Sequence, residues 1–195
     1  MEIPTPFGPA RVHTQEAAGS PRALLVLGHG AGGGVSAPDL MATTRVALEL
    51  DVSVALVEQP YRVAGRKSPA PATQLDTAWT TVLEALAPEV PLIVGGRSSG
   101  ARVACRTAAA TGAAGVLCLA FPVHPPGKPE KTRLDELDAV SVPVLVVQGE
   151  SDPFGMPPPA PNRTVVALRG NHSLKSDMPG LQAAVRNWLD TLLSP

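Results

Sequence analysis

The sequence predicts an α/β fold, a mostly parallel central sheet with helices on both faces. Short runs of strand length recur along the chain, and most are continuously apolar rather than alternating. Parallel strands buried on both faces read this way. Helical patterns fall between the runs, so each strand is expected to return to the same sheet through a crossover helix. With 195 residues, the chain has enough length for one domain with a sizeable core, expected to span residues 1–195.

In order, the apolar runs are Ala23–Leu27, Val52–Val57, Pro91–Val94, Gly115–Ala120, Val142–Val147 and Thr164–Leu168. The helical patterns cover Pro38–Leu50, Thr73–Ala87, Ser99–Thr111, a short stretch at Arg133–Ala139, and Gly180–Leu193. The first 15 residues suggest an antiparallel edge hairpin, against which stand Pro4, Pro6 and Pro9. The 22 prolines and 18 glycines concentrate in connections, chiefly Pro122–Pro129 and Pro153–Pro161. Each of these lies between clear elements, so both read as stiffened, ordered loops. No connection is long enough for a lid or cap.

Composition narrows the function classes. Hydrophobic residues make up 44% and charged residues 17%, which argues for a folded chain rather than a disordered one. The net charge of −1 and the scattered basic residues give no footprint for nucleic acid or an anionic membrane. No apolar run approaches the roughly 20 residues needed to span a bilayer. The opening MEIPTPFGPARVHT lacks a cationic leader followed by an apolar core, so no signal peptide is expected. Cys105 and Cys118 lie in apolar surroundings and read as buried free thiols. A cytoplasmic location is the expectation. No Cys/His pair or carboxylate cluster indicates a metal.

In an open parallel sheet, functional groups gather at the carboxyl ends of the strands. There the sequence places Gly28-His29-Gly30-Ala31-Gly32-Gly33-Gly34, Gly96-Arg97-Ser98-Ser99-Gly100, Gly149-Glu150-Ser151-Asp152-Pro153 and Gly170-Asn171-His172-Ser173. A serine, an aspartate and a histidine therefore follow one another in chain order on one edge. Gly96 and Gly100 flank Ser98 two residues away on either side, whereas Ser99 would have Arg97 and Ala101 there. A nucleophile held at positive φ between a strand and a helix needs small residues at those positions.

This combination resembles the α/β-hydrolase superfamily, with its G-x-S-x-G elbow and its Ser, Asp, His order. The stretches GHGAGGG, GGRSSGARVA, FPVHPPGKPEKTR and QGESDPFG are more narrowly similar to a small cap-less group of hydrolase-like proteins. That group is related to the dienelactone hydrolases and includes testis-expressed proteins and a histone-acetyltransferase complex subunit. The resemblance implies an α/β-hydrolase fold without a cap and leaves the substrate open.

Chemistry assigns the expected roles. A serine hydroxyl needs an adjacent base, here His172. Asp152 would hold the imidazole tautomer and stabilise its cation, with Glu150 as the rival acid. The competing readings are a helix N-cap for Ser98, a surface turn for His172 and an Asp-Pro turn for Asp152. The oxyanion hole would use the amides of Ser99 and Ala31, with His29 as a structural residue of its loop. Arg97, Tyr61, Arg62 and His124 are candidates for substrate binding, the arginines as partners for an anionic group. Against this, Arg97 and Arg62 could instead pair with structural acids.

The activity expected is that of a serine hydrolase cleaving a small ester, thioester or lactone through an acyl-enzyme. No cofactor is required. The partner expected is a small-molecule substrate, with the chain as monomer or homodimer. Two rivals remain: a hydrolase-like scaffold that binds a protein, and an acyltransferase or perhydrolase using the same three residues.

Overall fold

A computed structural model describes residues 1–194. Eight strands form one sheet: β1 (Glu2–Thr5), β2 (Gly8–Gln15), β3 (Ala23–Gly28), β4 (Val52–Glu58), β5 (Leu92–Arg97), β6 (Gly115–Leu119), β7 (Val144–Gly149) and β8 (Arg163–Leu168). The helices are α1 (Pro38–Glu49), α2 (Pro60–Val63), α3 (Ala72–Leu86), α4 (Ser99–Thr107), α5 (Leu134–Asp138) and α6 (Met178–Leu192). The spatial order is β1-β2-β4-β3-β5-β6-β7-β8. Strands β3 to β8 pair in parallel, while β1 and β2 pair antiparallel at one edge.

Burial follows from the crossovers. Every residue of β6 and β7 is buried, and only Glu58 at the end of β4 escapes. Successive side chains enter opposite layers. Leu25 and Leu27 of β3 pack with Leu40 and Val46 of α1 and with Leu181, Val185 and Leu189 of α6. Val26, between them, joins Leu75 and Trp79 of α3, Ala101 and Val103 of α4, and Leu137 of α5. The outer strand β8 has one unpaired edge and is half exposed.

The expected α/β architecture is present, with local differences. The N-terminal hairpin forms, and Pro4 falls on the outermost strand, where a missing N–H costs no internal ladder bond. The strand expected at Pro91–Val94 runs on to Arg97, because β5 continues through Gly95 and Gly96 beside β3 and β6. Helix α4 stops at Thr107, short of Thr111, and α2 has no counterpart in the sequence reading.

Strand order also locates the site. From β3 the chain steps to β4 on one side, then returns to β5 on the other. The loops after β3 and β5 therefore diverge, and the topological switch point lies between them at the carboxyl ends.

Candidate active site

Ser98 lies at that switch point, between β5 and α4, with φ 51° and ψ −107°. Close approach of three backbones produces this corner. A Cβ on Gly96 would stand 2.6 Å from the Gly28 carbonyl oxygen, and one on Gly100 would stand 2.5 Å from the same atom. Only glycine at both positions lets the end of β3 touch the start of α4. The Ser98 N–H donates to the Leu119 carbonyl at 2.9 Å, tying the elbow to β6. Ser98 occupies the N-cap position of α4, but its side chain makes no capping hydrogen bond.

The hydroxyl instead reaches His172, with Ser98 Oγ 2.9 Å from Nε2. On the other side of the ring, Nδ1 lies 2.8 Å from Asp152 Oδ2. An ionised carboxylate can only accept, so Nδ1 carries the proton and Nε2 is free to accept from the serine. The Asp152 side chain is fully buried, and Glu150, the rival acid, is exposed. Asp152 Oδ1 accepts from the Phe154 N–H at 2.8 Å, and Oδ2 accepts from Gln148 Nε2 at 3.0 Å. Gln148 Nε2 also lies 3.0 Å from the Phe121 carbonyl and 2.7 Å from the Gly155 carbonyl, so three acceptors share its two hydrogens.

The glycine-rich loop after β3 is held from two directions. His29 is buried, its Nδ1 is 2.8 Å from the Gly30 carbonyl, and its Nε2 accepts from the Gln59 N–H at 3.0 Å. That pattern fits the neutral Nδ1–H tautomer. Burial pushes the His29 pKa below the ordinary value, with the nearby Arg62 charge acting the same way against the Gly30 hydrogen bond. The Tyr61 hydroxyl donates to the Ala31 carbonyl at 2.9 Å, and burial raises its pKa. Ser99, the first residue of α4, has an amide that helix geometry leaves without an intrahelical acceptor.

All four residues expected at the substrate have a polar contact within the protein. The Tyr61 hydroxyl is committed to Ala31. Arg97 places Nε 2.9 Å from Asp39 Oδ2 and donates from Nη2 to the His172 carbonyl at 2.9 Å. Arg62 folds onto the Arg66 carbonyl at the surface. His124 sits with Nδ1 2.9 Å from the Pro125 carbonyl, and its N–H donates to Phe154 at 3.1 Å.

Sequence reasoning passed over Asp39, Gln148 and Phe154. Gln148 and Phe154 sit within the QGESDPFG stretch, so proximity to Asp152 was the available signal. Among the described residues, no cluster of His, Cys, Asp and Glu could hold a metal, and no helix is long and apolar enough to cross a membrane. A surface concavity near Leu83, Pro91 and Gly112 lies at the amino end of β5, away from Ser98.

Comparison with known proteins agrees with this picture. A family model described as an alpha/beta hydrolase domain matches residues 21–184. A search of curated proteins by sequence finds no match. Among solved structures, a lidless α/β serine hydrolase from Xanthomonas campestris superposes with TM-score 0.77 at 23% identity, covering 96% of this chain and 93% of that one. The protein Est1E from Butyrivibrio proteoclasticus, solved with ferulic acid, gives TM-score 0.80 at 15% identity over 100% of both chains. An α/β serine hydrolase homologue from Coxiella burnetii gives 0.79 at 16%, covering 97% and 96%. Among the described residues the sheet carries no inserted cap, as in the lidless Xanthomonas protein, and the family match spans most of the chain: it belongs to the α/β-hydrolase domain family.

Proposed function

We propose that this hydrolase cleaves a small ester, thioester or lactone, with Ser98 as nucleophile, His172 as general base and Asp152 as its orienting acid. The observation that carries the reading is the continuous chain from Ser98 Oγ through both nitrogens of His172 to a buried carboxylate, at 2.9 and 2.8 Å.

Each atom then has a task. Nε2 of His172 takes the serine proton as Oγ attacks the acyl carbon. The amides of Ala31 and Ser99 receive the negative charge on the carbonyl oxygen, the second reinforced by the amino end of α4. His172 returns the proton to the leaving oxygen or sulfur, giving an acyl-serine. Water, deprotonated by the same nitrogen, then releases the acid. Asp152 stabilises the imidazolium in both halves. Arg62 in α2 and His124 in the loop after β6 follow the carboxyl ends of their strands and are assigned to the rim, where substrate side groups pass. Two buried free thiols support a reducing compartment, the cytoplasm.

The test is a substrate panel of short-chain nitrophenyl esters, acyl thioesters, lactones and a hydroxycinnamate ester, the last suggested by the ferulic acid in Est1E. Turnover of at least one class, falling on the order of 10⁴-fold or more in Ser98→Ala, is expected. Equal rates in wild type and Ser98→Ala would refute the assignment.

A further inference from the structure

Arg97 is the residue immediately before the candidate nucleophile, and its guanidinium points back into the protein. It meets three segments at once. Nε is 2.9 Å from Oδ2 of Asp39, in the first turn of α1. Nη2 donates to the His172 carbonyl at 2.9 Å. Nη1 lies against the loop that carries Ala31, so close that a Cβ on Gly30 would be 3.2 Å from it. The nucleophile elbow, the loop before α1 and the histidine loop therefore share one cation.

Asp39 shows that this arrangement is built rather than incidental. Its side chain is fully buried, Oδ1 accepts from the Leu40 N–H at 2.9 Å, and Oδ2 has Arg97 as its charge partner. The contact is an ion pair rather than an aligned hydrogen bond. Burial pushes the Asp39 carboxyl above the usual range, and the Arg97 charge opposes that push. Replacing such a pair with apolar residues is often neutral for stability, so stability is a poor reason for its presence. Position is a better one. His172 lies in a loop outside any strand or helix, and Asp152 holds only its ring. Arg97 holds its backbone.

We propose that Asp39 and Arg97 form an internal strut that sets the position of His172 and of the Ala31 loop relative to Ser98. Arg97 is thereby a positioning residue and does not bind substrate. The catalytic meaning of the strut rests on the hydrolase reading above, whereas its effect on His172 does not.

The test uses Arg97→Met, Asp39→Asn, the double variant and Arg97→Lys, each first checked for a cooperative melt. Kinetics on a neutral ester and the rate of fluorophosphonate labelling form one arm. In Arg97→Met, kcat and labelling rate should fall about 10- to 100-fold, the scale of a base misplaced by about 1 Å, with KM within about twofold. Asp39→Asn should lower kcat in the same direction. The double variant should be no worse than Arg97→Met, because the two side chains act as one unit. Arg97→Lys should recover only part of the loss, since one ammonium cannot reproduce the planar fork. If KM rises for an anionic ester while kcat on the neutral ester holds, Arg97 binds substrate and the strut is overturned. Multiplicative losses in the double variant overturn it too.

The second arm needs no turnover. The Nδ1 proton shared by His172 and Asp152 is followed by proton NMR at low field. The strut requires this resonance to shift or broaden in Arg97→Met and Asp39→Asn. An unchanged resonance in both folded variants overturns the proposal. A wild-type protein without turnover or labelling defeats the hydrolase reading alone, and the NMR arm still decides the strut.

Discussion

The ring of Phe154 lies against the imidazole of His172, with centroids 4.1 Å apart and planes inclined by 30°. The same residue's N–H donates to Asp152 at 2.8 Å, and its carbonyl accepts from the His124 N–H at 3.1 Å. One short turn thus holds Asp152 by its backbone and covers His172 with its side chain. Phe154→Ala keeps the N–H and removes the ring. Aromatic pairs of this kind contribute about 0.5–1.5 kcal/mol, so kcat should fall roughly 2- to 10-fold with a smaller change in KM. Steady-state kinetics on the best ester found would check this, with Phe154→Tyr expected to keep most of the rate.

Steric crowding behind the elbow gives a second expectation. A methyl group at position 100 would meet the Gly28 carbonyl oxygen at 2.5 Å, and that atom belongs to backbone that cannot swing away. Gly100→Ala should cost about 1–3 kcal/mol and pull Ser98 out of register, lowering activity as well. By contrast, a Cβ on Gly33 meets nothing within 4 Å. Gly33→Ala should change stability by less than about 0.5 kcal/mol. Denaturant melts of the two variants would separate crowding from a general aversion to losing glycine.

A charge network braces the helix that follows Ser98. Arg102 of α4 donates to Glu136 of α5 at 2.8 and 2.5 Å. Arg106 reaches Glu136 at 3.2 Å and Asp76 of α3 at 2.8 and 2.6 Å. Burial alone would raise the Glu136 pKa, but the hydrogen bonds and charges of Arg102, then Arg106, outweigh it and hold the carboxyl below its usual value. A carboxyl depressed on folding adds stability above its unfolded pKa and loses it as pH falls through the folded one. Glu136→Gln should therefore lower stability by about 1–2 kcal/mol at pH 7. The gap to wild type should close as the solution is acidified below the ordinary glutamate range. Thermal melts across that pH series provide the measurement.

Cys105 and Cys118 face each other inside the α4–β6 contact, with sulfurs 3.5 Å apart and both residues buried. The hydrogen bond shared with Cys105 and then burial push the Cys118 thiol well above its usual pKa. Neither thiol should react with iodoacetamide in the native protein at mild alkaline pH, and two should react in denaturant. Mass spectrometry reads the difference directly.

The parts of the molecule that were legible share a physical cause. Strands β3, β4, β6 and β7 are buried on both faces, so an apolar run marks each in sequence, interrupted in β4 only by Ser53. Ser98, Asp152 and His172 stood out because each follows a strand end, and topology alone brings strand ends together. Asp39 carried no such mark. An acid after Pro38 in a first helical turn looks like ordinary dipole complementation, and only folding shows that it is buried against Arg97. The same limit led Arg97 and Tyr61 to be read as substrate residues: position on the correct edge was visible, side-chain direction was not. Gln148 is the penultimate residue of a buried strand, where one polar residue gives no hint that it turns back to hold Asp152.

The central claim is that Ser98 is a working nucleophile, and intact-mass analysis after exposure to a fluorophosphonate tests it most directly. One adduct on wild type, lost in Ser98→Ala and kept in Ser99→Ala, is the predicted result. A folded wild-type protein that takes no adduct, or an adduct that survives in Ser98→Ala, would contradict the account.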